Sequence, residues 1–387
     1  MSAIYLDYAA ATPLDETVLT AMLPYLTTEF YNPSATYSAA RRVQQALQQA
    51  RQQAARAVGA KPSEIIFTAG GTEANNLAIH GIMRRYPQAA IVISAIEHSA
   101  VLKPAAHYAG LVAGVTADGL LDLEKITHTI TDETVLVSCM YANNEIGTVQ
   151  PIRALARRCA AIRTARRQSG NDLPLYLHVD ACQAPNYLDV QLSRLGADLV
   201  SFNGSKIYGP KQSGILFVKG GLVLEPLIDG GGQERGLRSG TENVAGAVGF
   251  AVALERAVSL RHEEVRRLKQ LQSYWYELLA EQLPAAIING SRSHRLPNNI
   301  HLSFPGFDNE RLLFELDEAG IMAAAGSACS ASSQTPSTVL AALGLDVLTA
   351  QSSVRFTMGR ATTRQEIKTV IAKLVELTAP PLPKSTP

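Results

Sequence analysis

The chain has 387 residues, 47% of them hydrophobic, enough for two or three domains at about 150 residues each and ample core for a sheet and flanking helices. Its 35 Lys and Arg balance 34 Asp and Glu, which argues against a nucleic-acid or membrane-surface partner. Four cysteines in so long a chain point to a reducing, cytoplasmic setting and away from a disulfide framework.

In chain order, the amino terminus has no basic stretch before Ile4 and reaches Asp7 at once, so no signal peptide is expected. The first apolar run, Glu64 to Ala69, stops at Gly70 and Gly71, after which Thr72 and Glu73 open an apolar-periodic helix. Two glycines allow a tight turn with close backbone approach, and free amides at a helix start suit a phosphate. A plain glycine-rich turn with a threonine cap would read the same way. Ala89 to Ala95 stops before Glu97 and His98, and Thr134 to Tyr141 before Asn143 and Asn144. Pro174 to Asp180 ends on its aspartate, and Ala197 to Phe202 leads into Gly204 and Lys206. Short apolar runs separated by helix-like stretches predict buried parallel strands. In an open α/β sheet the ligand lies beyond the carboxyl ends of the strands, so the polar residues that end these runs are expected on one edge.

Val244 to Leu254 is the longest helical apolar run, well short of the ~20 residues that span a bilayer. An amphipathic stretch, Arg256 to Leu283, follows it. Beyond lies a second α/β unit, with strands at Asn299 to Phe304 and Ser353 to Met358 and helices at Asn309 to Glu318 and Gln365 to Leu377. Ala323 to Ser333 is a run of small residues around Cys329, better suited to a moving loop than to a core strand, although free cysteines are also often buried. Cys139, Cys159 and Cys182 read as structural. The proline-rich tail, Pro380 to Pro387, is expected to be disordered. The predicted division is a large unit over 15–255 and a smaller one formed by 1–14 with 256–387, at a boundary that no Gly or Pro linker marks.

Asp180 and Lys206 carry the chemistry furthest. A carboxylate that stays ionised can hold a pyridinium nitrogen, and a lysine amine in an apolar pocket can form an imine with an aldehyde. Each alone has an ordinary reading, as a turn or cap residue and as a solvated loop residue. Together they suggest pyridoxal 5'-phosphate, with Lys211 as the rival lysine. A thiol protease using Cys329 with His98 or His178 would leave Lys206 without a role. A metal site from His178, Asp180 and Cys182 has no second cluster to complete it, so no metal is expected.

The segments YLDYAAATP, FTAGGTEANNLAI, EHSAVL, NNEIGTVQPI, HVDACQA, GSKIYGPKQSGILFV, GGGQERGLRSGTEN, AAGSACSASS and VRFTMGRATT occur in this order from residue 5 to residue 363. Together they resemble the cysteine desulfurases of the NifS and IscS type, a group within the class V aminotransferases of fold type I. The likeness spans nearly the whole chain, and GGGQERGLRSGTEN and the cysteine loop are specific to this branch. The resemblance implies an α/β fold with a mainly parallel seven-stranded sheet in a large domain, and a smaller α/β domain bearing the cysteine loop at about 323–336. It also implies an enzyme that takes sulfur from L-cysteine, leaving L-alanine and a persulfide on Cys329 for a sulfur acceptor such as an iron-sulfur scaffold.

Position by position, Lys206 matches the lysine that binds the cofactor as an imine, Asp180 the carboxylate on the ring nitrogen and Gln183 the amide on the ring hydroxyl. His98 matches the imidazole that stacks on the ring and helps move protons. Gly71, Thr72, Asn203 and Ser205 fall where the phosphate is held. Thr241 matches a threonine that reaches the phosphate of the neighbouring subunit, which implies a homodimer. Asn144 and Arg355 match residues that position the substrate, with a guanidinium suited to a bidentate grip on its carboxylate. Two departures stand out. Members usually carry serine at the position of Asn203 and histidine where this chain has Ser205, and IscS-type members often continue past the last helix with a tail that docks the scaffold. A selenocysteine lyase, a cysteine lyase that releases sulfide directly, and a sulfur-relay scaffold without activity remain as alternatives.

Overall fold

The structure, a computed structural model, describes residues 3–326 and 337–379. In chain order the elements are β1 (Ile4–Tyr5), α1 (Glu16–Thr27), α2 (Ser38–Val58), β2 (Ile65–Thr68), α3 (Gly71–Met83), β3 (Ala90–Ser94), α4 (Ser99–Ala105), β4 (Ala109–Ala113), α5 (Leu123–Thr129), β5 (Thr134–Ser138), α6 (Ile152–Gln168), β6 (Tyr176–Asp180), α7 (Leu192–Leu195), β7 (Leu199–Asn203) and β8 (Gly214–Val218). There follow α8 (Val244–Gln282), β9 (Ile287–Ile288), β10 (Asn299–Ser303), α9 (Asn309–Glu318), β11 (Ile321–Met322), α10 (Thr338–Ala342), α11 (Val347–Gln351), β12 (Ser353–Thr357) and α12 (Arg364–Thr378). Cys329 and the tail 380–387 lie outside the described residues.

Seven strands form the central sheet in the order β2-β8-β7-β6-β5-β3-β4. The five from β7 to β4 pair in parallel, whereas β8 is antiparallel to both of its neighbours, β7 and β2. The run at residues 64–69 was expected to pair in parallel; its partner in the sheet is instead the antiparallel β8. That strand, GILFV, went unread in the sequence because it follows a loop of glycine, proline and lysine with no helix between. Even so β2 points the same way as the parallel five, so its carboxyl end reaches the same edge. Apart from the edge strand β4, the sheet is buried on both faces: Ile215 and Phe217 join one core, Leu216 and Val218 the other, and Val92 is set against Ile91 and Ile93 in the same way. Burial on both sides is why these runs are continuously apolar.

Through residue 255 runs one 39-residue helix, α8, capped by Asn243, whose side chain accepts from the Gly246 amide, and ending at Gln282. Its first part packs Phe250, Leu254 and Ala257 into the core of the sheet. Its second part packs Leu268, Leu271, Trp275 and Leu279 into a separate core with Ile300, Phe356 and Ile371. That core backs a three-stranded sheet, β12-β10-β9, and β1 pairs in parallel with β11 beside it. No helix among the described residues is long and apolar enough to cross a membrane.

Candidate active site

The carboxyl ends of the strands converge on a cavity of about 260 Å³. Gly71, Thr72, His98, Asn144, Asp180, Gln183, Asn203, Lys206 and Arg355 line it, nine of the residues expected to form a site. Lys211 does not line it; its side chain is turned to the carbonyl of Thr12 at 3.1 Å.

One wall is the start of α3. Gly70 enters the helix at φ 121°, and Gly71 lies so close to β6 and β7 that a Cβ there would sit 2.5 Å from Cys182 Sγ and 3.3 Å from Asn203 Cβ. Only glycine fits this approach, and it brings the first amides of the helix to the cavity, where helix geometry leaves them without an internal acceptor. Asn203 accepts from both the amide and the hydroxyl of Ser205 through Oδ1, at 3.1 and 3.0 Å. Its Nδ2 is therefore left toward Gly71. Ser205 does not line the cavity; it acts on the wall through Asn203.

The floor is Asp180, at the last position of β6 and 7% exposed. Its Oδ1 accepts from the Cys182 amide at 2.9 Å and its Oδ2 from Asn75 Nδ2 at 2.7 Å. Asn75 was missed in the sequence. A polar residue on the apolar face of α3, one turn past Gly71, was the available signal. Its own Oδ1 is buried without a partner.

His98 caps α4, its Nδ1 accepting from the Ala100 amide at 3.1 Å, so a neutral ring carries its proton on Nε2. Burial lowers its pKa, with Lys206 in support and Asp180 opposing. The neighbouring Glu97 ties the end of β3 to the end of β5, with Oε1 accepting from Ser94 Oγ at 2.5 Å and from the Met140 amide at 2.7 Å.

Opposite stands the amino-terminal segment, whose part in the site the sequence did not disclose. Lys206 Nζ donates to the Ala10 carbonyl, and Gln183 Nε2 donates to the Ala9 carbonyl at 2.9 Å. Arg355, 1% exposed on β12, donates to the Asn144 carbonyl at 3.0 Å and to Asp7 Oδ1 at 2.6 Å. Thr241 is exposed on the loop before α8 and does not line this cavity. His178 is not a ligand or a base. Its nitrogens bond Ser138 and Ser201 at 2.8 and 3.0 Å, and burial lowers its pKa to about 4, so it braces β5, β6 and β7.

The donor set fits pyridoxal 5'-phosphate: an amine for the aldehyde, a buried carboxylate for the ring nitrogen, and helix-start amides with an asparagine amide for the phosphate. Because Gly71 has no Cβ to meet Cys182 and Asn203, the start of α3 comes close enough to β6 and β7 for Gly71 and Thr72 to line the cavity beside Asn203, where such a phosphate needs its donors.

The sequence matches the Aminotransferase class-V family over residues 4–370. A relative from Dictyoglomus turgidum, "Cysteine desulfurase IscS", is 39% identical over 96% of this chain and 94% of its own length. The protein of that name from Methanosarcina thermophila is 38% identical over 97% of this chain and 92% of its own. Among solved structures, a "NifS-like protein" superposes with a TM-score of 0.88 at 31% identity, covering 97% of this chain and 99% of that one. A structure titled "SspA in complex with cysteine" superposes with a TM-score of 0.79 at 32% identity, covering 92% and 98%.

Proposed function

The chain belongs to the aminotransferase class-V family, and we propose that it works there as a pyridoxal phosphate-dependent cysteine desulfurase, removing sulfur from L-cysteine to give L-alanine and a persulfide. The observation that carries the reading is the single cavity lined by Lys206, Asp180, the start of α3 and Arg355. In it, Asp180 takes the ring nitrogen, Gln183 the ring hydroxyl, and Gly71, Thr72 and Asn203 the phosphate. When bound, the cofactor supplies a sink for the electrons of the substrate's α-carbon. Arg355 and Asn144 hold the substrate, Arg355 by its carboxylate. Lys206, at rest against the Ala10 carbonyl, serves as the amine that meets the aldehyde and then moves the proton at the α-carbon. His98, which lines the same cavity with its proton on Nε2, is assigned as the second proton donor in this reading. Cys329 is assigned the role of sulfur acceptor.

The same reading divides the chain into 15–255 and 1–14 with 256–387. The change of core partners along α8, between Ala257 and Leu268, supports it. It also pairs the chain into a homodimer whose Thr241 reaches the partner's phosphate. In support, Thr241 is exposed, and α1 leaves Leu19, Leu23 and Leu26 exposed with Phe30 just beyond. Free thiols at Cys139, Cys159 and Cys182 favour a reducing, cytoplasmic location, and an iron-sulfur scaffold is the proposed acceptor. Lys206→Ala tests the core of the reading. It should abolish alanine formation and the visible absorbance band that borohydride removes; a band that survives there but disappears in Lys211→Ala would move the chemistry to the other lysine.

A further inference from the structure

We propose that Asp7 sets how tightly the cavity takes a carboxylate, by aiming the Arg355 guanidinium and by offsetting its charge. The inference rests on the reading of Arg355 as the substrate's carboxylate partner and carries it one residue further.

Arg355 Nη2 donates to Asp7 Oδ1 at 2.6 Å and Nη1 to the Asn144 carbonyl at 3.0 Å, while Nε is buried with no partner. The side chain is 2% exposed and that of Asp7 19%. Asp7 itself cannot drift. Its carbonyl accepts from Tyr5 Oη at 2.9 Å and from the amides of Ala10 and Ala11 at 3.0 and 3.3 Å, and its backbone bridges to Thr357, two residues beyond Arg355. The next turn of the same segment supplies Ala9 and Ala10 to the cavity lining.

Two consequences oppose each other. With one N–H of each terminal nitrogen committed to the protein, the guanidinium cannot rotate, so an incoming carboxylate meets a preset donor edge and loses less freedom on binding. Yet the charge it meets is already paired. A second carboxylate must share a cation with Asp7, which weakens the grip relative to a bare arginine. Substrate and product carry the same carboxylate, so a tempered grip also speeds release of the product.

Asp7→Asn separates the two effects, since the carboxamide oxygen can still accept from Nη2 while the charge is gone. Asp7→Ala removes both. The holoenzyme is titrated with L-alanine and with L-alaninamide, which lacks the carboxylate, and Kd is read from the change in visible absorbance. Asp7→Asn should bind L-alanine more tightly by about tenfold, the scale of one charge-assisted hydrogen bond, with L-alaninamide unchanged. Asp7→Ala should bind L-alanine less tightly than Asp7→Asn does. Asp7→Asn with unchanged or weaker L-alanine binding, or the two variants binding alike, would overturn the inference. Arg355→Gln keeps the two failures apart. It should abolish the preference for L-alanine over L-alaninamide; if the preference persists there, the reading of Arg355 itself is wrong, whereas its loss there with no response at Asp7 sinks only the inference about Asp7.

Discussion

Glu97 is a carboxyl group with nowhere to put a charge. It is 2% exposed, one oxygen takes two hydrogen bonds and the other takes none, and the nearby Asp180 is acidic as well. Burial above all raises its pKa to about 8, with Asp180 adding and the bonds from Ser94 and the Met140 amide opposing. The sign follows directly. A carboxyl whose folded pKa exceeds its unfolded value favours the fold in its neutral form. Its contribution is complete below the unfolded pKa and is lost as pH rises through the folded one. Glu97 should therefore withdraw its contribution to stability between about pH 5 and about pH 9, by an amount on the order of a few kcal/mol. Glu97→Gln keeps the acceptor oxygen and cannot ionise, so its unfolding midpoint in urea should gain on that of the wild type as pH rises across that range, while the lowered pKa values of His98 and His178, which act in the opposite sense, affect both proteins alike. A slope equal to that of the wild type would mean that other groups carry the pH dependence.

At the scale of elements, the site depends on α3 approaching β6 and β7 at Gly71, and that approach can be tested through its neighbour. Gly71→Ala places a methyl group 2.5 Å from Cys182 Sγ, an overlap that should cost about 1 to 3 kcal/mol and push the phosphate amides out of line. Cofactor lost on dialysis against a carbonyl scavenger should be faster in Gly71→Ala, and adding Cys182→Ala should restore much of the retention by removing the sulfur. If the double variant loses cofactor as fast as the single one, the clash is elsewhere. How much of this was legible in the sequence follows from what each element needs. Strands buried on both faces announce themselves as continuous apolar runs, and their polar ends, at His98, Asn144, Asp180 and Lys206, fall on one edge as a parallel sheet requires. The edge strand β4 did not, because four of its five residues are exposed and carry no burial pattern. Nor did the part played by residues 7–10, since their contacts to Arg355, Gln183 and Lys206 span at least 174 positions and no local pattern encodes them. The unbroken α8 was hidden differently. Its apolar face passes from one core to another, so the periodicity changes where the helix does not.

For the whole molecule the open question is whether a single chain completes the site. Thr241 and its loop stand outside the cavity of their own chain, and the loop holds two successive non-glycine residues, Glu234 and Arg235, at φ 46° and 61°. The surroundings overdetermine that conformation: Glu234 forms a buried bidentate pair with Arg51, at 2.7 and 2.6 Å, and accepts the Phe67 amide at 2.9 Å. This anchors the loop six residues before Thr241, and Thr241 itself is exposed, which suits a contact made to another chain. If the hydroxyl serves the partner's phosphate, Thr241→Ala and Lys206→Ala damage different sites of a dimer. A homodimer of either variant has two faulty sites. In a mixed dimer one site draws Lys206 from the first chain and Thr241 from the second, and is whole. Equal amounts of the two variants, unfolded and refolded together, should therefore recover wild-type cofactor retention and alanine formation at about a quarter of all sites, since half the dimers are mixed and each has one intact site. Separately refolded variants mixed afterwards should show no such recovery. If co-refolded and separately refolded samples behave alike while sedimentation shows mixed dimers, Thr241 acts within its own chain and the shared-site reading falls.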